Sequence, residues 1–189
     1  MTTIGKGEYR EAMSRLGAAV NVITTDGPAG RHGLTASAVC SVTDTPPTLL
    51  VCVNRSAGAH ASLIGNGVLC VNVLTGRHQE LCGAFGGGRL GVAARFAAAS
   101  WRVLTTGAPV LTDASVSLDC RIIRSEEIGT HSVLFCEVVD IASAATPEGL
   151  IYFNRAYHRL DGAATTMPPA TERIATPAYS PKNAGDHVR

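Results

Sequence analysis

The stretch GLTASAVCSVTDTPPTLLVCVN, residues 33–54, decides the fold class. Residues 33–43 are small, hydroxylated or β-branched and read as one strand. Successive side chains of an extended chain point to opposite faces. Thr35, Ser37, Ser41 and Thr43 therefore share one face, and Leu34, Ala36, Ala38 and Val42 the other. Pro46 and Pro47 break the chain, and TLLVCVN (48–54) is a continuous apolar run of the kind found in a strand buried on both faces.

The same pattern continues to either side. Val20, Val22 and Thr24 alternate, and DGPAGRHG (26–33) supplies turn chemistry. VLCVNVL (68–74) is a further strand, followed by candidates at 115–125 and 132–141 joined through EEIGTH (126–131). LIYF (150–153) is a short last strand that leads into the polar cluster NRAYHRL (154–160). Helical spacing is confined to EYREAMSRL (8–16), with Tyr9, Ala12, Met13 and Leu16 on one side, and to both ends of 77–96. Gly86, Gly87 and Gly88 interrupt the latter as a loop, and 55–67 is polar and small. A doubly wound sheet needs a helix of about ten residues or more between strands, and most of these linkers are too short. The expected fold is mainly β with short helices, an antiparallel barrel occupying residues 1–160. Residues 161–189 hold four of the nine prolines and no apolar period, and read as a disordered tail or an arm lying on a neighbour.

Composition narrows the classes. The 189 residues are 46% hydrophobic and 16% charged, with mean hydropathy +0.17, enough apolar material for a real core. A net charge of +1 leaves no electrostatic footprint for nucleic acid or an anionic membrane. No run approaches the roughly 18 apolar residues of a membrane span, and residues 1–10 lack the apolar stretch of a signal peptide. A soluble, cytoplasmic protein is expected. The six cysteines, at 40, 52, 70, 82, 120 and 136, form no CxxC and lie mostly in apolar runs, as buried reduced thiols do. Twenty glycines beside 5% aromatics fit either many turns or a backbone brought close to a ligand.

Familiar catalytic signatures do not occur. The triple glycine lacks the GK[ST] of a phosphate loop and the preceding strand of a dinucleotide fingerprint. Six histidines include no HExxH, so no metal site is expected, and no serine sits in a GxSxG elbow. His131 and His158 stand out at strand boundaries within polar clusters. The strand around Thr35–Ser37 exposes backbone N–H and C=O groups between small side chains, which could bond the polar edge of a flat heteroaromatic ring, although taken alone it reads first as a sheet face with Ser and Thr turned to solvent.

Four blocks together carry a resemblance: 33–54, LCVNVL (69–74), GTHSVLFCEV (129–138) and GLIYFNRAYHRL (149–160). In order and spacing, over residues 8–160, they are similar to the short-chain flavin reductase family, the reductase components of two-component flavin-dependent monooxygenases. The resemblance implies a split-barrel flavin-binding fold, Greek-key-like, in a homodimer that uses NADH or NADPH to reduce FMN or FAD. It implies that Thr35, Ala36 and Ser37 contact the isoalloxazine edge, and that Cys52, Val53, Asn54 and Arg55 border the flavin ring and phosphate. Ser62 would hold the phosphate, and Phe85 with its adjoining glycines would line the ribityl and phosphate end. His131, Arg155, Tyr157 and His158 would form the nicotinamide side. Many relatives carry a GDH block where this chain has Thr130 before His131.

That implied chemistry needs no nucleophile, acid–base dyad or metal, because hydride passes directly between the two cofactors and the protein aligns and shields them. A partner monooxygenase would receive the reduced flavin. Two other readings stand beside it: a protein that retains FMN without NAD(P)H turnover, and a split barrel for another flat cofactor. Only two lysines, Lys6 and Lys182, weigh against a pyridoxamine-phosphate oxidase type.

Overall fold

The computed structural model describes residues 4–87 and 90–162. In chain order its elements are α1 (Lys6–Ser14), β1 (Ala18–Ala19), β2 (Asn21–Thr25), β3 (His32–Ala36), β4 (Val39–Asp44), β5 (Pro47–Asn54), α2 (His60–Asn66) and β6 (Val68–Val73). A 3-10 turn (Gly76–His78) then precedes α3 (Gln79–Gly86), α4 (Val92–Ala97), β7 (Trp101–Val103), β8 (Pro109–Leu111), β9 (Val116–Ile128), β10 (His131–Ser143), β11 (Gly149–Phe153) and β12 (Ala156–Leu160). The mainly β expectation holds. No helix among the described residues is long and apolar enough to cross a membrane.

Seven strands form one antiparallel sheet in the order β3-β2-β6-β9-β10-β5-β4. Its two edge strands, β3 and β4, are consecutive in sequence and separated only by Ser37 and Ala38. The sheet therefore curls until its edges meet at a corner. Val39 N–H donates to the Ser37 carbonyl at 3.0 Å, a three-residue γ-type turn, and Cys52 N–H donates to the Ala38 carbonyl at 2.9 Å. Leu34 and Ala36 from one edge and Val39 from the other pack on the same core of Ile23, Val51, Leu69, Val71 and Leu134. Ala59 and Leu63 of α2 belong to that core as well.

A second core lies on the other face of the sheet. Val22, Leu74, Phe85, Phe96, Leu111 and Leu150 meet there, drawing in α3, α4 and a three-stranded sheet of order β1-β11-β12. Strand β2 is buried at every position because it runs between the two cores, Ile23 facing one and Val22 the other. Asn72, fully buried, ties the strands across this layer. Its amide donates to Val22 C=O (3.0 Å) and Thr24 Oγ1 (3.1 Å), while its Oδ1 accepts from Leu111 N–H (2.8 Å) and the Ser117 hydroxyl (2.9 Å).

Several local expectations change. Residues 33–43 are two strands with a corner at Ser37–Ala38, because they belong to opposite edges of a curled sheet. The 48–54 run is buried on one face only: Leu49, Val51 and Val53 point into the core while Leu50 and Cys52 are half-buried. Residues 55–67 include α2. The polar cluster after LIYF folds into β12, an exposed edge strand that pairs with β11, so His158 sits within a strand. The short β7–β8 pair was not foreseen. Four cysteines are buried as expected, but Cys40 is exposed and Cys52 half-buried. The expectation for 161–189 concerns residues that, from 163 onward, lie outside the described ones.

Candidate functional site

Strand β3 is the free edge of the large sheet, and the site follows it. Antiparallel partners alternate between residues that exchange hydrogen bonds and residues whose backbone groups face away. Gly33 faces away: its N–H takes His32 Nδ1 at 2.9 Å and its C=O receives the Arg95 guanidinium at 3.4 Å. By the same alternation Thr35, two residues on, turns its N–H and C=O outward. An unpaired donor and acceptor thus stand side by side between small residues.

Two clefts share this strand, and a third adjoins them at the Ser37–Ala38 corner. The first, about 360 Å³, lies between Gly33–Thr35, the Ser56–Ala59 turn, Phe85–Gly87 and Arg95. A second, about 210 Å³, continues over Thr35, Ala36 and Ser37 to Val20, Tyr152 and Tyr157. The third, about 500 Å³, runs from Ser37 and Ala38 beneath α1 to Tyr152 and Arg155. Thr35 joins the first two, and Ser37 with Tyr152 joins the last two.

Helix α3 forms one wall because β3 lets it approach. Thr35 Oγ1 donates to Cys82 C=O at 2.9 Å. Phe85 lies over Gly33 so closely that a Cβ there would stand 2.7 Å from the ring. Phe96 and Trp101 hold that ring, with centroids 5.2 and 5.7 Å away. Arg95 of α4 completes the wall, donating to the carbonyls of Leu90 (2.8 Å), Gly87 (3.2 Å) and Gly33. The opposite wall is the β11–β12 hairpin, whose turn residues Asn154 and Arg155 adopt positive φ (47° and 63°). Arg155 reaches Glu11 of α1 at 2.9 Å, which holds the Glu11 carboxyl below its ordinary range and the guanidinium firmly charged. Tyr157 packs on Tyr152, and burial, then the neighbouring Cys82, push its phenol up, so it stays protonated. Burial lifts the Cys82 thiol to about 11.

Of the residues singled out in the sequence, Thr35, Ala36, Ser37, Phe85, Tyr157 and Arg155 line this trough. The others lie outside its lining. Val53 is fully buried in the inner core, and Cys52 is linked to the trough only through its N–H to Ala38. Asn54 accepts from Ser56 N–H and hydroxyl, both at 2.9 Å. Arg55 pairs with Glu127 and donates to Gly129 C=O at 2.9 Å, bracing the β9–β10 turn. Ser62 donates to Ala29 C=O at 3.0 Å. His131 is opposite Asn54 in the β5–β10 ladder, its Nδ1 2.9 Å from Thr130 Oγ1, and His158 Nε2 lies 3.2 Å from Phe153 C=O. Sequence reasoning missed Arg95, Tyr152 and the Ser56–Ala59 turn. Arg95 and the Ser56–Ala59 turn lie outside all four resemblance blocks, and Tyr152, though inside GLIYFNRAYHRL, has no role assigned there, since each role depends on what the fold places opposite it.

Comparisons with known proteins show the family. A model of the flavin reductase like domain matches residues 13–161. A relative from Variovorax paradoxus (strain S110), named FMN reductase (NADH) RutF, is 59% identical over 155 residues, covering 82% of this chain and 86% of its own. The solved ycdh structure from Haemophilus somnus 129pt is 45% identical with a TM-score of 0.80, covering 83% of this chain and all of that one. BorF, the flavin reductase component of a bacterial two-component tryptophan halogenase, is 26% identical with a TM-score of 0.77, covering 83% and 99%. With a family model spanning most of its length and relatives above half identity, this chain belongs to the flavin reductase like domain family.

Proposed function

We propose that this protein is an NADH-dependent flavin reductase that takes FMN as its first substrate and releases the reduced flavin to a partner oxygenase. The observation that carries the reading is the trough along β3, lined by Gly33, Thr35, Ala36, Ser37, Gly86 and Gly87 between the two walls, where the β2–β3 alternation turns the Thr35 N–H and C=O outward. A flat ring system with a polar edge fits a floor of this kind, where larger side chains would fill the space. The relatives named FMN reductase (NADH) supply the choice of substrate pair.

Both flavin and NADH are substrates here, and the chemistry they bring is hydride transfer from the nicotinamide to the flavin, with a proton taken from solvent. The chain's contribution is placement. Thr35 offers a backbone donor and acceptor to the flavin's polar edge, and its side chain is held off by Cys82 C=O. The Phe85 wall and the β11–β12 hairpin narrow the trough and keep bulk water from its floor. Tyr157, protonated at working pH, presents a phenolic O–H, and Arg155 on the same wall serves the nicotinamide partner. Cys52, Asn54 and Arg55 hold the adjoining β5 end and the β9–β10 turn in place.

The same reading includes a homodimer. Leu50 and Cys52 on the outer face of β5, and Val42 on β4, leave apolar side chains half-covered or exposed in the single chain, as a strand awaiting a second copy would. Reduced cysteines and use of NADH fit a cytoplasmic setting. The test mixes purified protein with NADH and free FMN and follows the NADH absorbance. Oxidation that requires added FMN is expected. NADH loss that is absent or independent of FMN overturns the proposal. Flavin that stays bound through gel filtration without turnover points instead to a flavin-retaining protein.

A further inference from the structure

We propose that Arg95 is a positioning residue for flavin binding, acting as a three-carbonyl clamp that fixes the Phe85–Gly87 wall against β3. The inference rests on the reading of the β3 trough as the flavin site.

The half-buried guanidinium spans three separate pieces of backbone. Nε donates to Leu90 C=O at 2.8 Å, Nη2 to Gly87 C=O at 3.2 Å and Nη1 to Gly33 C=O at 3.4 Å. Two of these carbonyls lie beyond the end of α3, and the third is the outward carbonyl of the strand that floors the cleft. Among the described residues, few other hydrogen bonds reach the Gly86–Gly87 end of α3. The C-cap Gly87 N–H returns to Gly83 C=O at a long 3.3 Å, and Gly86 and Gly87 are exposed. Glycines at a helix end lose the most conformational entropy on ordering, so the Gly86–Gly87 end of the wall is steadied by bonds from outside it. Arg95 supplies such bonds beyond the Phe85 packing that holds the body of the helix. Its planar fork reaches several acceptors at fixed angles, which a lysine ammonium on a flexible stem does not reproduce.

Two consequences follow. The clamp shapes the cleft without reacting, so its loss weakens flavin binding and leaves the chemical step alone. It also acts on the ring-binding floor and wall together, so the loss is the same for flavins with and without a phosphate.

The experiment compares wild type, Arg95→Ala and Arg95→Lys in the full chain, using FMN and riboflavin as substrates with NADH in excess. Arg95→Ala is expected to raise the KM for FMN about ten-fold with kcat within about two-fold, the pattern of lost ground-state binding. The rise for riboflavin is expected to match within about two-fold, and Arg95→Lys, which keeps the charge but not the fork, to resemble Arg95→Ala. Thermal melts report that each variant is folded, and the milder Arg95→Lys decides the matter if Arg95→Ala is not. An unchanged KM for FMN in the variants overturns the proposal. So does full rescue by lysine, or a loss confined to FMN, since either makes Arg95 a direct phosphate contact. A wild type that neither binds nor reduces flavin overturns the functional reading and this inference with it. A competent wild type with unaffected variants overturns this inference alone.

Discussion

Replacing Gly33 by alanine tests the packing that builds the trough. The new Cβ would lie 2.7 Å from Phe85 Cε1, 3.0 Å from Phe85 Cδ1 and 3.0 Å from the Ile23 carbonyl. Backbone conformation is not the obstacle, since Gly33 lies in a strand with φ outside the left-handed region. The ring must therefore move, but Phe96 and Trp101 contact its other side. Overpacking of this kind costs about 1–3 kcal/mol, against which alanine in a strand regains about 0.5–1 kcal/mol of backbone entropy. The net expectation centres on about 1 kcal/mol of destabilisation, or a fall in Tm of about 2–4 °C for a chain of this size. Because the displaced ring is also the cleft wall, the KM for FMN should rise in the same variant. Gly86→Ala is the control, its Cβ meeting Thr35 only at an ordinary 3.7 Å, and should lie within about 0.5 kcal/mol of wild type. Adding Phe85→Leu to Gly33→Ala should recover part of the loss, a coupling read from the double-mutant cycle. A Gly33→Ala protein with unchanged Tm and unchanged KM would refute the close contact and the wall built on it.

Asn72→Ala should cost about 3 kcal/mol or more, because it strands the buried Leu111 N–H and removes both donors to the β2 strand; denaturant unfolding measures it, and a change under 1 kcal/mol would contradict the hub. Thiol titration should find Cys40 and Cys52, which lie on the β4–β5 face assigned to the second copy, protected at dimer-forming concentrations and reactive on dilution, the exposed Cys40 before the half-buried Cys52, whose thiol burial and then Cys40 raise. Cys70, Cys82, Cys120 and Cys136 should react only after denaturation, since burial raises all four, Cys136 to about 12. The Glu11–Arg155 pair gives an acid-sensitive contact between α1 and the β11–β12 hairpin. Because Arg155 lowers the folded Glu11 below its unfolded value near ~4.3, the contact is complete above that pH and fails as pH falls through the folded value. Amide exchange in α1 should therefore rise on acidification in wild type and be less pH-dependent in Arg155→Gln, and equal pH profiles would count against the latch.

The strands were legible because most are marked locally. Val20–Thr24, 48–54, 68–74 and the two long runs after 115 each carry alternation or a continuous apolar stretch, and the DGPAGRHG turn joins β2 to β3 as read. The corner at Ser37–Ala38 was not legible. Small residues with strand propensity run straight through it, and only the pairing of β3 with β2 and of β4 with β5 shows that they belong to opposite edges. Strand β12 was hidden for another reason: all five of its residues are exposed, so it has no apolar period to read. In the site, Thr35–Ser37 could be proposed from side-chain size and backbone exposure, whereas Phe85, Arg155 and Tyr157 came from the block resemblance. Arg95 had no signal at all. A single arginine in a helical segment is ordinarily a solvated side chain, and it becomes a clamp only where tertiary structure turns three carbonyls toward it.

This division between a legible floor and illegible walls has a mechanistic side. The floor is an edge strand whose pairing with β2 runs along its length, so Thr35 is positioned by the sheet. The walls are tied less continuously: Arg95, the Thr35 hydroxyl to Cys82 C=O bond and the Phe85 packing on one side, and on the other the Glu11–Arg155 pair with the Asn154 N–H to Ser14 C=O bond. A site whose reactive geometry resides in the rigid part and whose closure resides in the loosely tied parts can release its product without rearranging the floor. Substitutions in the walls are then expected to move KM and flavin release, while substitutions at Thr35–Ser37 move kcat as well. Steady-state kinetics on the two sets separates them, and equal effects on kcat from wall and floor would show that this partition is wrong.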